Sequence, residues 1–386
     1  MPSPRATPLG RVIDFIVDNS ILLLTGTVAA IVWANVDLAG YERVTHVLHF
    51  AVDDVGMVFF FGLAAKEVIE ATAPGGVLHS PRRAAVPLVA AVGGMMGPAL
   101  LYVAFATATG ETALLRGWAI PTATDIAFSY LVARFVFGVS HPAVPFLLLL
   151  AIADDALGLL ILAVFYPTGE IRPLEFFVFL AAGLAVAWWL RRRRTTSFWP
   201  YVLAGGGLSW VAFYRGGLHP ALALVPILPF IPHARRDPGF FEDAPTFHDP
   251  LSEFEHWWKK PVQVILLFFG LTNAGVPFTN VGAGTWIVLA AIVIGKPLGV
   301  VVSTELAILS GLHRPSNLTV RDEIVVGVAA GIGFTVALFF AGAAFDAGPL
   351  LDQTKMGALF SFSASVLAVA GAWFLGVGRF GPRRPP

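Results

Sequence analysis

Residues Pro145–Tyr166 read PFLLLLAIADDALGLLILAVFY, and this stretch decides the class of protein. As an α-helix it is long enough to cross the roughly 30 Å hydrocarbon core of a bilayer. Near its centre it carries two acids, Asp154 and Asp155. Each acid costs about 2.5–3.5 kcal/mol at that depth. We therefore predict that the pair faces a hydrated cavity or bonding partners, with a purely structural salt bridge as the alternative interpretation.

The composition of the whole chain supports a membrane location. Of its 386 residues 56% are hydrophobic and 13% are charged, and the mean hydropathy is +0.76. A net charge of +0 indicates no nucleic-acid partner. Because the chain has no cysteine, disulfides and thiolate metal sites are excluded. We expect a lipid bilayer around the protein and no bound cofactor.

Apolar windows of spanning length recur along the chain and lack the alternation of barrel strands. We predict an all-α integral membrane protein of about 12 transmembrane helices, forming a single polytopic membrane domain over residues 1–386. Helices 1–8 cover roughly 12–232, a cytoplasmic loop covers 233–255, and helices 9–12 cover roughly 260–379. The predicted helices lie near 12–35, 49–70, 84–108, 117–138, 143–166, 173–190, 199–214, 217–232, 260–278, 284–311, 322–345 and 356–379.

The basic residues predict the orientation of these helices. With both termini in the cytoplasm, most of the 25 lysines and arginines fall in cytoplasmic connections, as the positive-inside rule requires. The run Arg191–Arg194 directly follows an apolar window and is interpreted as an anchor of this topology. A patch that binds lipid or nucleic acid is the other interpretation of that run.

Two predicted helices are interrupted by Gly or Pro in mid-membrane, at Gly117–Asp125 in helix 4 and Gly327–Thr335 in helix 11. The two helices are seven apart, so they run in opposite directions. Paired interruptions in inverted-topology repeats indicate the binding site of a transporter. Close helix packing, which glycine also serves, is the alternative interpretation of these interruptions.

Helix 4 offers oxygen atoms at its interruption. Pro121 frees a backbone carbonyl in the preceding turn, and Thr122, Thr124 and Asp125 add side-chain oxygens. Such hard ligands suit Na+ or Li+. Alternatively, the threonine hydroxyls bond back to their own helix.

Lys296 is the one lysine deep inside an apolar window, and it needs an anion. We predict Asp154 or Asp125 as its partner. A buried lysine of this kind can also carry a transported proton, while structural pairing is the sober alternative.

Two further groups of polar residues lie near predicted helix ends. Glu255 and His256 stand beside aromatic and basic residues at the start of helix 9, where an interfacial belt or a pH-sensing site would fit. Asp53 and Asp54 start helix 2 and line an outer vestibule or lie at its wet end. His219 is interpreted as a residue that joins a loop to a helix.

Seven segments together resemble the NhaA family of bacterial sodium/proton antiporters, in the family's order and over most of the chain from helix 2 onward. Those in helices 4 and 5 are highly specific. The segments are GWAIPTATDIAFS (117–129), LAIADD (150–155), GLHPAL (217–222), EH (255–256), TNAGV (272–276), IGKPLG (294–299) and GIGFT (331–335).

The resemblance implies inverted repeats in which helices 4 and 11 are unwound and cross. It makes Asp155 the main Na+ or Li+ ligand with Asp154 beside it and Thr124 nearby. Lys296 becomes the partner of Asp154, and Asp125 and Lys296 compensate the half-helix dipoles. The implied function is an electrogenic antiporter, not an enzyme. It would export Na+ for external H+ by alternating access in the bacterial cytoplasmic (inner) membrane and serve pH and sodium homeostasis.

The chain departs from the family pattern in three places. Residues 62–68 read GLAAKEV where the family has GLEVKRE, which leaves Glu67 as a further candidate for pH sensing with Glu255 and His256. Lys259-Lys260-Pro261 replaces the family's His-Pro, so a different pH set point is expected. The connection from Asn35 to His46 is too short for the hairpin that joins protomers in the family, so a homodimer stays an open expectation.

Two other functions compete with exchange. A sodium-coupled solute symporter of related architecture would need a polar pocket for an organic substrate and no Lys296. An intramembrane aspartyl protease would place its two acids on separate, facing helices rather than side by side. A scaffold protein without transport is a third, bland possibility.

Overall fold

The computed structural model describes residues 20–381 apart from 75, 77, 80, 234–248 and 316. All regular elements in those residues are helical, as predicted. The described α-helices are α1 (Ile21–Val36), α2 (Leu38–His49), α3 (Met57–Thr72), α4 (Pro81–Ala108), α5 (Ile126–Phe137), α6 (Ala143–Phe165), α7 (Pro173–Arg192), α8 (Gly207–Gly216), α9 (Pro250–Asn273), α10 (Ala283–Ala290), α11 (Lys296–Leu309), α12 (Val320–Ala330), α13 (Phe334–Ala344), α14 (Pro349–Phe360) and α15 (Ser363–Leu375).

Several of these helices join into longer rods. Within the described residues, seven rods are long and apolar enough to cross a membrane, and an eighth results if α12 and α13 count as one span. Four rods contain more than one element, namely Leu38–Thr72, Ile120–Phe137, Ala283–Leu309 and Pro349–Phe380. The architecture is that of a multi-pass membrane protein and agrees roughly with the predicted dozen helices. The start of predicted helix 1 and both termini lie outside the described residues.

In the part of the chain that the structure describes, three π-helical segments connect or precede helices, at Phe50–Gly56, Tyr201–Gly206 and Ala291–Gly295. A π-turn inserts an extra residue into a helix and is frequent at functional sites. The first joins α2 to α3 and carries Asp53. The last ends directly before Lys296. Two of the polar residues singled out in the sequence therefore lie at helix irregularities.

The helix predicted near 217–232 is wrong. This segment is a series of tight turns with short 3-10 helices at Pro220–Leu222 and Leu228–Phe230. Prolines at 220, 226, 229 and 232 remove backbone donors every few residues, so an uninterrupted α-helix cannot form.

Two predicted connections are shorter than expected because helices occupy part of them. The loop predicted at 233–255 ends at Asp249, whose side chain accepts hydrogen bonds from the backbone N–H of Leu251 (3.0 Å) and Ser252 (2.9 Å). With Pro250 as the first helical residue, this is a strong helix start. Residues 234–248 of that loop lie outside the described chain. The connection between helices 1 and 2 is itself helical and forms α2.

Helices α4 and α11 pack along a seam of small residues. A Cβ atom on Gly299 would lie 2.0 Å from the carbonyl oxygen of Gly93, and one on Gly97 would lie 2.2 Å from that of Gly295. Only glycine allows two backbones to approach this closely. The seam fixes the start of α11, and with it the position of Lys296.

Candidate functional site

The two interrupted helices meet at their interruptions. The chain is extended at Ala123 and Asp125 before α5 begins, and α12 and α13 are bent by 53° around the break at residues 331–333. The backbone N–H of Asp125 donates to the carbonyl of Ile332 at 2.6 Å. A Cβ atom on Gly333 would lie 2.9 Å from the carbonyl oxygen of Ala123. Each interruption thus supplies hydrogen-bond partners for backbone groups of the other. Non-helical backbone at membrane depth needs such partners, because no water is available to it there.

Lys296 lies at this crossing and is fully buried. Its Nζ atom is 3.0 Å from Oδ2 of Asp154. It also donates to the carbonyl oxygens of Thr122 (2.5 Å) and Ala123 (3.1 Å). The three donors of the ammonium group therefore have three acceptors. The partner is Asp154 rather than Asp125, the other residue that the sequence left open.

The two carboxylate oxygens of Asp154 differ, because the contacts of this side chain are made by Oδ2 rather than Oδ1. Its Oδ2 accepts from the hydroxyl of Thr124 at 2.7 Å as well as from Lys296. The same hydroxyl lies 3.0 Å from the carbonyl oxygen of Ala330. The hydroxyl has one hydrogen, so it bonds one of these acceptors at a time. Within the described residues Oδ1 of Asp154 has no hydrogen-bond partner, so it retains lone pairs for a cation or a proton.

Asp155 differs from its neighbour in both contacts and exposure. It is partly buried, and no hydrogen bond or ion pair of its carboxylate occurs in the part of the chain that the structure describes. Both acids line a cavity of about 20 Å³, which is walled mainly by apolar side chains such as Phe60, Phe61 and Phe340. That volume holds about one water molecule. The site therefore has the size of a single small ion rather than of an organic molecule.

Asp125 closes the other side of the crossing. Its Oδ2 accepts from the hydroxyl of Thr335 at 2.5 Å, and its Oδ1 accepts from the backbone N–H of Phe128. It therefore lies at the N-terminal ends of both α5 and α13. A carboxylate is favourable there because helix N-termini are the positive ends of the backbone dipoles. Lys296 contacts carbonyl oxygens at the end of the short helix Ile120–Thr122, so the two charges face backbone ends of opposite sign.

The residues predicted to sense pH form a looser group. Glu255 on α9 accepts a hydrogen bond from Lys66, which also pairs with Glu70 one turn further along α3. Glu67 is near enough to Asp155 to interact with it electrostatically. His256 is exposed and does not join the pair formed by its neighbour Glu255.

The sequence profile of the Na+/H+ antiporter 1 family matches residues 13–375. The chain belongs to the Na+/H+ antiporter 1 family. The resemblance stated from the motifs is thereby confirmed.

Curated members of this family match at high identity and nearly full length. The Na(+)/H(+) antiporter NhaA of Geobacter metallireducens is 47% identical over 368 residues, which are 93% of this chain and 96% of that protein. The one of Desulfitobacterium hafniense strain DSM 10664 is 46% identical over 377 residues, covering 95% and 97%. The solved sodium proton antiporter MjNhaP1 of Methanocaldococcus jannaschii shares the fold with a TM-score of 0.55 over 95% of each chain, at 14% identity.

The ion pair between Lys66 and Glu70 was not predicted from the sequence. Lys66 and Glu70 are four positions apart in an apolar window, a spacing that suits an ion pair on one helix face and that could have been noticed. The pairing of Lys66 with Glu255, 189 positions away, left no such signal. Thr335 was quoted as part of a motif, but its bond to Asp125 depends on how the two interrupted helices cross.

Proposed function

We propose that this chain exchanges Na+ or Li+ for H+ at Asp154 and Asp155, and that each ion enters and leaves by alternating access. The observation that carries the proposal is that the two acids differ in their contacts. Asp154 is tied to Lys296, whereas Asp155 is unbonded within the described residues and faces an ion-sized cavity. Carboxylate, hydroxyl and carbonyl oxygens are the ligands that hard cations prefer.

The charges of the site support competition between the two ions. With both acids ionised and Lys296 protonated, the three groups sum to one negative charge, which one monovalent cation neutralises. When the cation leaves, Asp155 takes a proton, and Asp154 takes another as it releases Lys296. Two protons then replace one Na+, so each cycle moves net charge across the membrane. We assign the cation to Asp155, and the alternation between Lys296 and a proton to Asp154.

Isosteric substitution tests this assignment. In everted membrane vesicles energised by respiration, addition of NaCl or LiCl should release the accumulated protons, and KCl should not. Asp155→Asn keeps the shape of the side chain but removes a cation ligand, so we expect at least about a hundredfold slower exchange, equivalent to about 2.7 kcal/mol. Asp346→Asn, the same change at an exposed residue after α13, serves as the control. Wild-type rates in Asp155→Asn would contradict the assignment.

The alternative of a sodium-coupled solute symporter is not favoured. The curated relatives are named Na(+)/H(+) antiporters, and the cavity at the acids is too small for an organic solute. The adjacent placement of Asp154 and Asp155 likewise differs from the facing acids of a protease.

We further propose a cytoplasmic (inner) membrane location with both termini in the cytoplasm, and no cofactor besides the transported ions. The uneven distribution of basic residues supports this orientation. The roles of Glu67, Glu255 and His256 in pH response also belong to this proposal, as does a homodimer. Cysteine scanning of the termini with an impermeant reagent tests the orientation, because labelling in intact cells would contradict it.

A further inference from the structure

Aromatic rings form most of the wall around the two central acids. The cavity of about 20 Å³ is lined by Phe60, Phe61, Phe339 and Phe340 in addition to the acids. A cavity of this volume holds about one water molecule, so an ion with its complete hydration shell does not fit. An ion that binds here exchanges most of its water for protein oxygens, and the rings limit the space that is left for it.

Phe340 on α13 forms the part of this wall that faces the helix of the two acids. It is 2% exposed. A Cβ atom on Gly158 of α6 would lie 4.0 Å from Cε2 of Phe340. Gly158 lies one turn beyond Asp154 and Asp155, so the three residues share one side of the helix. Because Gly158 and Phe340 both line the cavity, the ring and the lack of a side chain opposite it together set the width of the cavity.

Tyr166 packs against Phe340 outside the cavity and holds its ring in place. The two ring centroids are 5.6 Å apart, with an angle of 62° between the ring planes. The hydroxyl of Tyr166 donates to the carbonyl oxygen of Arg116 at 2.8 Å and accepts from the backbone N–H of Ala119 at 3.3 Å. Since both rings are buried and in contact, Phe340 cannot yield to a larger ion without loss of this packing.

The neighbouring part of the wall is packed in the same way. The ring centroid of Phe339 is 4.9 Å from that of Phe61 and 4.5 Å from that of His219. Phe339 is itself 5% exposed. A larger ion therefore gains no space on this side of the cavity either.

The oxygen atoms of the site do not by themselves separate one alkali cation from another. Carboxylate, hydroxyl and carbonyl oxygens are hard ligands, and they bind Li+, Na+ and K+ alike. Selectivity among hard cations depends on the size and flexibility of the cavity as well as on the number of ligands. Because K+ is the largest of the three, a narrow and rigid cavity excludes it first.

We propose that Phe340 and Gly158 determine which ion the exchanger accepts. The ring of Phe340 limits the width of the cavity against α6 and excludes K+, and the open position at Gly158 leaves room for Na+. Phe340 thus contributes to specificity without binding the ion. This inference rests on the proposed exchange function.

A shorter side chain at position 340 tests the role of the ring. In everted vesicles, proton release is measured after addition of NaCl, LiCl or KCl. Phe340→Leu widens the cavity without adding a ligand, so the ratio of the Na+-driven to the K+-driven rate should fall by about tenfold, the lower end of what one methylene group contributes to discrimination. Phe177→Leu, the same change at a ring on α7 that is 64% exposed, should keep the wild-type ratio.

An added methyl group at position 158 tests the opposite direction. Gly158→Ala narrows the cavity, so the ratio of the Li+-driven to the Na+-driven rate should rise severalfold, while KCl still releases no protons. Gly371→Ala is the matched control. It adds the same group within α15, where no described residue of another helix has an atom within 4 Å of the new Cβ, and it should keep the wild-type ratio.

Opposite shifts in the two variants would support the inference. An unchanged ratio in either variant that retains Na+ exchange would overturn it, and so would K+ exchange in Gly158→Ala. If Phe340→Leu exchanges no ion at all, Gly158→Ala decides alone, by a raised or an unchanged ratio of Li+ to Na+ rates. Absence of Na+ exchange in the wild type would instead overturn the proposed function, which distinguishes the two failures.

Discussion

Two buried lysines, Lys296 and Lys66, each pair with a carboxylate, but their surroundings differ. Lys296 and its partner Asp154 are both almost completely removed from water, and two backbone carbonyls complete the shell of the lysine. Lys66 is nearly as buried, yet its partners Glu70 and Glu255 are 30% and 45% exposed. Water can therefore solvate the acids of the second pair but not the acid of the first. A buried ion pair is costly to break when neither charge can return to water. The pair of Lys296 and Asp154 therefore suits a switch that opens only when a bound proton or cation offsets this cost.

The two pairs should differ most in how much the free energy of unfolding falls when the lysine is replaced. Lys296→Met leaves Asp154 as an unpaired buried charge, so we expect a loss of about 3–5 kcal/mol in the free energy of unfolding. Lys66→Met leaves acids that water can reach, so a loss of about 0.2–1 kcal/mol is expected. Thermal unfolding of both variants in one detergent measures the order of the two effects.

A double variant shows whether the lone charge causes that loss. Lys296→Met combined with Asp154→Asn removes both charges and should recover most of the stability. Equal destabilisation by the two lysine variants, or no recovery in the double variant, would break the comparison.

An intermediate effect is expected at Thr335, whose hydroxyl donates to the buried Asp125. Thr335→Val keeps the shape but removes a hydrogen bond to a charged group, which is worth about 1.5–3 kcal/mol. Thr354→Val is the matched control, because that buried hydroxyl donates only to carbonyls of its own helix. Similar unfolding midpoints for the two variants would contradict a special role of the contact between Asp125 and Thr335.

The smallest effect on stability should come from Glu255, where function is the more sensitive readout. Glu255→Gln is fixed in the neutral form, so any part of the pH profile of exchange that depends on Glu255 should disappear, while the free energy of unfolding changes by only about 0.2–1 kcal/mol. Glu253→Gln, at an exposed acid on the same helix, should keep the wild-type profile. An unchanged profile in Glu255→Gln would remove this residue from the proposed pH response.

The sequence by itself determined the membrane class, most of the spans and the central acids. Apolar windows are long because the bilayer is thick, and Asp154, Asp155 and Lys296 stand out because a charge in such a window is costly. The segment 217–232 was misjudged since its apolar composition outweighed its four prolines. The start of α9 was placed too late because its first turns are polar, although Asp249 and Pro250 are a clear helix start.

Only the tertiary structure decided which charges meet. It placed Lys296 against Asp154 rather than Asp125, joined Thr335 to Asp125, tied Lys66 to Glu255, and brought Asn273 to Asp53. The physical reason is that periodicity and hydropathy act along one helix, whereas these contacts join helices far apart in the chain. Which side chains meet there depends on the breaks, π-turns and glycine seams that set how the helices cross.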